Sequence, residues 1–435
     1  MKKDRFKAHR FQSWFGQGSW KKFLGSDELV IGVDVGKTAF YGAVTTRDTD
    51  DVEVIYFEQD QISEVVEKLA GLDFERCTLV IEPSGTYSDG LIEQGRQQGC
   101  QIIRINGEQV SNARTVFDGV PSLHDGKAAY LLSRLYLCGV GNPWKETSTT
   151  QRELRALVDI DELMERTQQL FVGPLEAVIA RHWPELTDFF DLTRATLLEL
   201  LIEFGTAQAV SAAPDRAEAL MRRVGGSKLS QDKIEGVIES AHQTIGVAPS
   251  SAQTEQIKYI AGMLRETQCR ARDVTRRIKE EAAENEATAA LADFAGARTA
   301  VVLVGMLGEL TEYDSPEQLE KAQGLNLCDV STGQTLQQKG LPSRRRRISK
   351  RGPGRVRKMM YWLAMRMISP VSQSHCPIAT AWYRERLRRN GGRAIPALVA
   401  LMRKLVGALW WIARGKQYDG AKLFDANRLR RLGHL

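Results

Sequence analysis

Closely spaced cysteines are missing from this sequence, and their absence excludes two kinds of small domain. None of the six cysteines belongs to a Cys-x-x-Cys pair, and no His-x-x-x-His motif lies near them, which argues against a zinc module. A chain of 435 residues can bury a sizeable core without disulfides. We therefore predict free, buried thiols and a reducing compartment. The cysteines are Cys77, Cys100, Cys138, Cys269, Cys328 and Cys376.

Long uninterrupted hydrophobic runs are also missing. Residues 1–22 are basic and contain no continuous apolar run, so nothing in them predicts an export signal. The most apolar stretch, residues 395–413, is interrupted by Arg403 and Lys404, so we predict no membrane span. We expect a cytoplasmic protein.

Acidic residues are almost absent from the last quarter of the chain. Residues 331–435 hold 24 Lys/Arg and 3 Asp/Glu, a net charge of +21, whereas residues 1–330 carry a net charge of −15. The first 22 residues add a short basic arm with 7 basic and 1 acidic side chains. The overall net charge of +6 hides this asymmetry. Such a distribution indicates a polyanionic partner.

The pattern of apolar residues predicts an α/β region followed by helices. Residues 29–137 predict the order β-β-β-α-β-α-β-α, and the short turns between the first three strands favour an antiparallel meander. Residues 150–292 predict a helical, coiled-coil-like spacer that ends in a long charge-rich helix. From residue 293 we predict a basic, mainly helical domain with a polar loop at 331–354.

Two carboxylates stand at the ends of apolar strands. Asp34 ends the first strand, and Glu82 ends a later strand just before a turn that starts at Pro83. A carboxylate in this position is costly unless it binds something positive, and magnesium prefers oxygen ligands. The predicted element order allows the two strands to pair side by side. A structural strand-end Asp34 and an exposed loop Glu82 are the plainer alternatives.

Asp125 is a third candidate because a predicted helix begins there. It is interpreted either as a metal ligand or as a plain N-cap. Asp118 lies seven residues earlier in a predicted loop. A P-loop at residues 36–38 is excluded, because only three residues separate Gly32 from Gly36 where that motif needs four.

The stretch from residue 81 to residue 87 reads IEPSGTY, and it is similar to the "EATGTY"-type motif of the DEDD insertion-sequence transposases. These are RuvC-like recombinases that resemble the Piv-type invertases, and some are guided by a bridge RNA. The resemblance implies an RNase-H/RuvC-like fold in which four acidic residues bind Mg²⁺ (or Mn²⁺). The last two acids are usually three residues apart, but Ser122 stands three before Asp125. Either Asp118 supplies the fourth carboxylate, or the site has three: Asp34, Glu82 and Asp125.

A dense basic cluster begins at residue 344, where nine of fifteen residues are Lys or Arg. Such density neutralises phosphates and makes binding fall steeply with salt. The aromatic residues behind it (Tyr361, Trp362, Trp382, Tyr383) are interpreted as core rather than as base-stacking surfaces. The predicted nucleic-acid-binding residues are Arg344, Arg345, Arg346, Arg347, Lys350, Arg351, Arg355, Arg357 and Lys358.

The C-terminal quarter resembles the second domain of the same family. Residues 400–405 (ALMRKL) and 415–419 (GKQYD) resemble its closing "MRKL…G..YD" pattern. Family members carry a nucleophilic serine in a polar Ser/Gly segment, and Ser331 is the first choice for that role here. The weaker candidates are Thr332, Thr335 and Ser343.

Four segments follow from this resemblance. They are a basic arm (1–28), an RNase-H/RuvC-like metal-dependent domain (29–145), a helical spacer with an insertion (146–292) and a basic transposase domain (293–435). The resemblance implies a DNA recombinase in which serine attacks a phosphodiester and forms a phosphoserine link. It further implies element-end and target DNA, a guide RNA and a homo-oligomer as partners.

Three alternatives stay open at this point. The first is a metal-dependent nuclease or junction resolvase that uses water as its nucleophile. The second is an actin-like sugar kinase or ATPase, whose first motif resembles residues 32–36. The third is a non-enzymatic nucleic-acid-binding protein.

Overall fold

The computed structural model describes residues 6–83, 85–330 and 345–434. The chain divides into two compact units, residues 1–146 and residues 147–435. A mixed α/β sheet fills the first unit and helices dominate the second, which confirms the predicted fold class at this level. All six cysteines are free as predicted, but only Cys100 is fully buried: Cys77, Cys328 and Cys376 are partly exposed, and the prediction of burial is wrong for the exposed Cys138 and Cys269.

The first unit is built on a seven-stranded sheet with the spatial order β1-β4-β3-β2-β5-β6-β7. Its strands are β1 (Ala8–Arg10), β2 (Glu28–Val35), β3 (Ala39–Thr46), β4 (Glu53–Glu58), β5 (Arg76–Ile81), β6 (Gln101–Arg104) and β7 (Asn142–Pro143). Its α-helices are α1 (Phe11–Gly16), α2 (Ile62–Ala70), α3 (Asp89–Gln97), α4 (Gly107–Asn112) and α5 (Asp125–Leu137).

Strand pairing confirms the predicted meander and the predicted neighbourhood of the two carboxylate strands. Strands β2, β3 and β4 pair antiparallel, whereas β5 lies parallel to β2 with Ile81 opposite Val33. The edge strands β1 and β7 and the short helix α4 were not predicted. Strand β1 pairs parallel with β4, and β7 pairs antiparallel with β6.

The two faces of β2 pack into different cores, because successive side chains of a strand point to opposite faces. Leu29, Ile31 and Val33 belong to a core that also contains residues of α1, α2 and α3. Val30 belongs to a second core formed largely by α5. By the same alternation Asp34 lies on the α5 face of the sheet.

The second unit contains two long antiparallel helices that link two separate cores. Each of the two helices, α6 (Thr149–His182) and α12 (Ser251–Glu284), is 34 residues long. One core combines parts of both with the helices between them, so much of the predicted insertion at 185–290 has a core of its own. These helices are α7 (Leu186–Phe189), α8 (Ala195–Glu203), α9 (Ala207–Ala212), α10 (Pro214–Gly225) and α11 (Gln231–Gln243).

The other core of this unit gathers the opposite ends of α6 and α12 with the C-terminal elements. A two-stranded hairpin pairs β8 with β9, and Val330 lies opposite Arg345. These elements are α13 (Glu286–Ala295), α14 (Ala297–Leu307), α15 (Pro316–Ala322), β8 (Leu327–Val330), β9 (Arg345–Ile348), α16 (Gly354–Ile368), α17 (Pro377–Arg389), α18 (Ala394–Ile412), α19 (Gly420–Leu423) and α20 (Ala426–Arg431).

Helix α18 is long and apolar enough to cross a membrane by length and composition alone. In the structure the apolar side chains of this helix pack inside the protein. Leu401, Leu405 and Leu409 are completely buried in the core of the second unit. A core helix accounts for the apolar stretch without a membrane.

Candidate catalytic carboxylates and nucleic-acid interface

Asp34 lies one residue before the end of β2, half-buried on the face that packs against α5. Burial raises the pKa of its carboxyl, and the nearby charges of Asp125 and Glu82 add to the shift, so that the pKa reaches about 6. A hydrogen bond from the backbone of Val35 opposes the shift. Asp34 is therefore close enough to both of the other carboxylates for their charges to act on it.

Glu82 reaches the same edge of the sheet from the neighbouring strand. It follows β5 directly, and Ile81 pairs with Val33, so the next residues along the two parallel strands, Glu82 and Asp34, come to the same end. Burial raises the pKa of the Glu82 carboxyl as well. Its carboxylate rests against Gly107 at the start of α4, where an added Cβ would overlap it. The exposed-loop alternative for Glu82 is wrong on this evidence, because the side chain is half-buried against α4.

Asp125 is the first residue of α5, but it is not the helix cap. His124 occupies that position, and its ring Nδ1 accepts a hydrogen bond from the backbone N–H of Lys127 at 3.4 Å. The plain N-cap interpretation of Asp125 is therefore wrong. Its side chain is left available to the site, where its charge acts on Asp34.

A single glycine lets α5 approach the sheet closely enough to join the site. A Cβ at Gly32 would overlap the carbonyl oxygen of Ala129 and the backbone nitrogen of Ser133. Gly32 stands two residues before Asp34 on the same face of β2, and Ala129 stands one turn after Asp125. The contact therefore sets the separation between the strand that carries Asp34 and the helix that carries Asp125.

Asp118 forms an ion pair with Lys127, the third residue of α5. Its carboxylate binds the ammonium of Lys127 at 2.9 Å, and it also accepts from the backbone N–H of Val120 at 2.9 Å. The Lys127 ammonium donates a further hydrogen bond to the Val120 carbonyl at 2.5 Å. Lys127 is only 1% exposed, so the pair fixes the loop before α5 onto the helix.

The chemistry of this site fits a divalent cation. Three carboxylates offer the hard oxygen donors that Mg²⁺ and Mn²⁺ prefer. The repulsion that Asp125 and Glu82 exert on Asp34, and the raised pKa of Asp34, are what a bound cation would relieve. Within residues 6–83, 85–330 and 345–434, no three His, Cys, Asp or Glu side chains already stand in a ligating arrangement. A cation would therefore draw the carboxylates together.

An open cleft of about 590 Å³ adjoins Glu82. Its lining is polar and includes the exposed guanidinium of Arg104 on β6. A cation beside a carboxylate site is suited to a phosphate backbone. The remaining lining residues are Pro83, Asn106, Gly107, Gln109, Asn142, Pro143 and Lys145.

In the second unit, part of the predicted basic cluster forms ion pairs with acidic residues of the protein itself. Arg355 is 7% exposed and its guanidinium binds both Asp161 and Glu165 on α6. Lys358 binds Glu165 at 2.7 Å, and Arg298 binds Asp161 at 2.6 Å. Burial acts to raise the pKa of the Glu165 carboxyl, but the hydrogen bonds from Arg355 and Lys358 and the charge of Arg298 lower it to about 2.

Arg357 is also engaged, because it donates to the carbonyl of Gly352 at 2.6 Å and to that of Gln323 at 3.3 Å. Arg347, Lys350 and Arg351, on or just after β9, are exposed, and so is Lys358 although it binds Glu165. Arg345 and Arg346 form part of the β9 backbone ladder. Four candidate nucleophiles and one cation lie outside the described residues: Ser331, Thr332, Thr335, Ser343 and Arg344.

Comparison with known families gives two matches. A family model described as a transposase of the DEDD IS110 type matches residues 31–173. A second model, described as the transposase IS116/IS110/IS902 family, matches residues 295–376. The chain belongs to the IS110-type DEDD transposase family. Among curated proteins, none matches the chain significantly.

The two family matches cover different candidate sites of this transposase. The first spans Asp34, Glu82, Asp118 and Asp125, and the second spans the basic cluster and Ser331. Family membership makes the protein a transposase and makes DNA its substrate. The stretch between the matches, residues 174–294, contains most of the helices with their own core.

Sequence reasoning missed two features of the transposase. The burial of Lys127 was not predicted, although Lys127 directly precedes the apolar residues that follow it in α5. Trp362 was interpreted as core, and this is wrong because its side chain is 51% exposed, whereas Trp382 is 9% exposed as expected. Trp362 lies in α16, and the sequence pattern of this helix does not show whether a residue at the border of its apolar face is buried or exposed.

Proposed function

We propose that this transposase cleaves and rejoins DNA at a divalent-metal site formed by Asp34, Glu82 and Asp125, with Ser331 as the nucleophile. The observation that carries the proposal is that Asp34 lies at one edge of the sheet where the charges of both Glu82 and Asp125 act on its carboxyl. The same arrangement supports an RNase-H/RuvC-like first unit, since both strand carboxylates lie at the ends of adjacent strands of a mixed sheet.

Each carboxylate has a defined part in this proposal. Asp34, Glu82 and Asp125 would hold Mg²⁺ or Mn²⁺, which polarises the DNA phosphate when bound. The deprotonated Asp34 carboxylate, which predominates above about pH 6, would be the form that holds the cation. Arg104 orients the phosphate backbone in the cleft beside Glu82. Asp118 remains the proposed fourth acid, but its ion pair with Lys127 suits it better to positioning the loop.

The serine step follows from the resemblance to the family. The Ser331 oxygen would bond to the DNA phosphorus, while the bond from phosphorus to the DNA leaving oxygen breaks and that oxygen takes up a proton. Rejoining reverses these events with a different strand. The exposed cations near β9 (Arg347, Lys350 and Arg351) would hold the DNA backbone. We further propose a guide RNA, a homo-oligomer and action on nucleoid DNA in the cytoplasm, as the resemblance implies.

The decisive experiment traps the covalent intermediate on element-end DNA. Ser331→Ala should abolish the protein–DNA adduct and leave DNA binding intact, while Thr335→Ala serves as the control in the same segment. Asp34→Asn should abolish adduct and cleavage, whereas Asp60→Asn, which changes an exposed carboxylate elsewhere in the first unit, should retain both. An adduct that persists in Ser331→Ala would move the nucleophile elsewhere. Free DNA ends without attached protein would favour a water-using nuclease or junction resolvase.

A further inference from the structure

A cavity of about 650 Å³ lies where the end of α18 meets the segment that follows it. We call it the tryptophan cavity, and its main lining residues are Lys404, Trp411, Lys416, Tyr418, Asp419 and Lys422. Its volume lies within the roughly 300–1,000 Å³ that is usual for sites of small ligands. None of these residues has a part in the carboxylate site.

The charge of the tryptophan cavity is unbalanced in favour of cations. Lys416 and Lys422 are exposed, and neither forms an ion pair with a described residue. Lys404 is also exposed and donates to the carbonyl of Leu423 at 3.1 Å. One carboxylate, Asp419, faces them, and it accepts a hydrogen bond from the backbone N–H of Lys422 at 3.0 Å as the cap of α19. Three ammonium groups against one carboxylate favour an anionic ligand.

The aromatic wall of the cavity is held in place from behind. Trp410 donates its ring N–H to the carbonyl of Tyr313 at 2.7 Å, and the guanidinium of Arg414 lies 3.7 Å from the centre of its ring. Trp411 contacts Trp410 edge to face at 4.8 Å, yet it remains 51% exposed. The Trp411 ring is therefore supported by a fixed neighbour while part of its surface faces the cavity.

Tyr418 makes the opposite wall rigid as well. Its ring packs on Phe294 with 4.5 Å between the ring centres, and its hydroxyl lies 3.7 Å from the Cys376 sulfur. The cavity is thus a preformed space with an exposed indole on one side and ammonium groups around it. A preformed wall costs little ordering entropy on binding.

We propose that the tryptophan cavity binds a nucleotide of a single-stranded nucleic acid, whose base stacks on Trp411 and whose phosphates contact Lys404, Lys416 and Lys422. An exposed indole with surrounding cations is the combination that single-strand binders use. A paired duplex cannot present a free base face to the indole, so the ligand must be unpaired. DNA and RNA share this chemistry. The inference rests on the proposed function, because it adds a nucleic-acid contact to it.

The first test measures binding of the full-length protein to fluorescent oligo(dT) and oligo(U) of about 12 nucleotides. Trp411→Leu should weaken binding by roughly 5- to 150-fold, and Trp411→Phe should retain most of the affinity because a stacking face remains. Trp362→Leu is the matched control, since Trp362 is also 51% exposed but lies outside the cavity. Equal affinity of Trp411→Leu and the wild type, or equal losses from Trp411→Leu and Trp362→Leu, would overturn the proposal.

The second test separates phosphate contacts from stacking. Replacing Lys404, Lys416 and Lys422 together by Gln should reduce the slope of log affinity against log salt by about 2, while Trp411→Leu should leave the slope unchanged. Tighter binding of the matching duplex than of either single strand would refute the single-strand assignment, and the better of the two oligonucleotides identifies DNA or RNA. Asp34→Asn should bind both oligonucleotides normally. Retained DNA cleavage by Asp34→Asn would refute the proposed chemistry alone, whereas unchanged oligonucleotide binding by Trp411→Leu would refute this inference alone.

Discussion

Gly32 of β2 lies directly against the backbone of Ala129 in α5, with no room for a side chain between them. Two of the three acidic side chains depend on this contact, because Asp34 follows Gly32 on the same face and Asp125 precedes Ala129 by one turn. The closeness of helix and strand thus shapes the proposed metal site as well as the core.

Gly32→Ala should consequently damage both stability and activity. An added methyl group would push α5 away from β2, and overpacking of this kind costs about 1–3 kcal/mol. We expect a lower urea midpoint and a loss of DNA cleavage that persists under conditions where the variant is folded. Gly262→Ala is the control, because a methyl group there meets nothing within 4 Å and should stabilise α12 slightly. Wild-type cleavage by folded Gly32→Ala would show that the separation is not critical.

Asp34 should make stability depend on pH in an unusual direction. The folded carboxyl keeps its proton up to a pKa of about 6, while the ordinary value is 3.8. Between these values the folded state binds more protons than the unfolded state, so stability falls as pH rises through this window. Without divalent metal, Asp34→Asn should match the wild type at about pH 3.5 and exceed it by up to about 3 kcal/mol at about pH 7.5. Urea denaturation in EDTA measures this difference, and a constant difference across pH would contradict it.

Divalent metal should offset most of the stability difference between Asp34→Asn and the wild type. Binding of Mg²⁺ or Mn²⁺ to the folded carboxylates adds about 2.7 kcal/mol when the free metal is about 100 times its Kd. We expect thermal unfolding of the wild type to shift upward with either ion, and Asp34→Asn, Glu82→Gln and Asp125→Asn to lose the shift. Asp60→Asn should keep it. A shift of the same size in all variants would place the metal at another site.

The basic cluster should divide into structural and DNA-contacting members. Arg355→Ala would leave Asp161 and Glu165 with only the more exposed Arg298 and Lys358 as partners, so we expect a loss of stability below the roughly 3–5 kcal/mol that breaking a fully buried pair costs. Arg347→Ala changes an exposed side chain and should leave stability nearly unchanged, while it reduces the salt slope of duplex DNA binding by about 1. Urea unfolding and salt titration of DNA binding check both expectations. Reduced DNA affinity in a fully stable Arg355→Ala would refute the division.

Particular residues show what sequence reasoning could reach. The β2–β3–β4 meander and the pairing of β5 with β2 were predictable, since short turns and apolar strands specify them locally. Strand β1 was not, because its three residues pair with β4 more than forty positions later. Arg355 was predicted as a phosphate ligand from local charge density, but its partner Asp161 lies 194 residues away. The identity of the α5 cap required structure, since His124 and Asp125 both suit the start of a helix.

Variants of the ion pair between Asp118 and Lys127 test whether the proposed metal site has three acidic ligands or four. If Asp118 only holds the loop, Asp118→Asn should destabilise the protein by leaving the Lys127 ammonium buried with a neutral partner. The double variant Asp118→Leu/Lys127→Met removes both charges from this buried place and should recover much of the lost stability. It should also recover metal-dependent stabilisation and DNA cleavage, because Asp34, Glu82 and Asp125 are untouched. If Asp118 is instead a metal ligand, the double variant will be stable but will lose both the metal shift and cleavage.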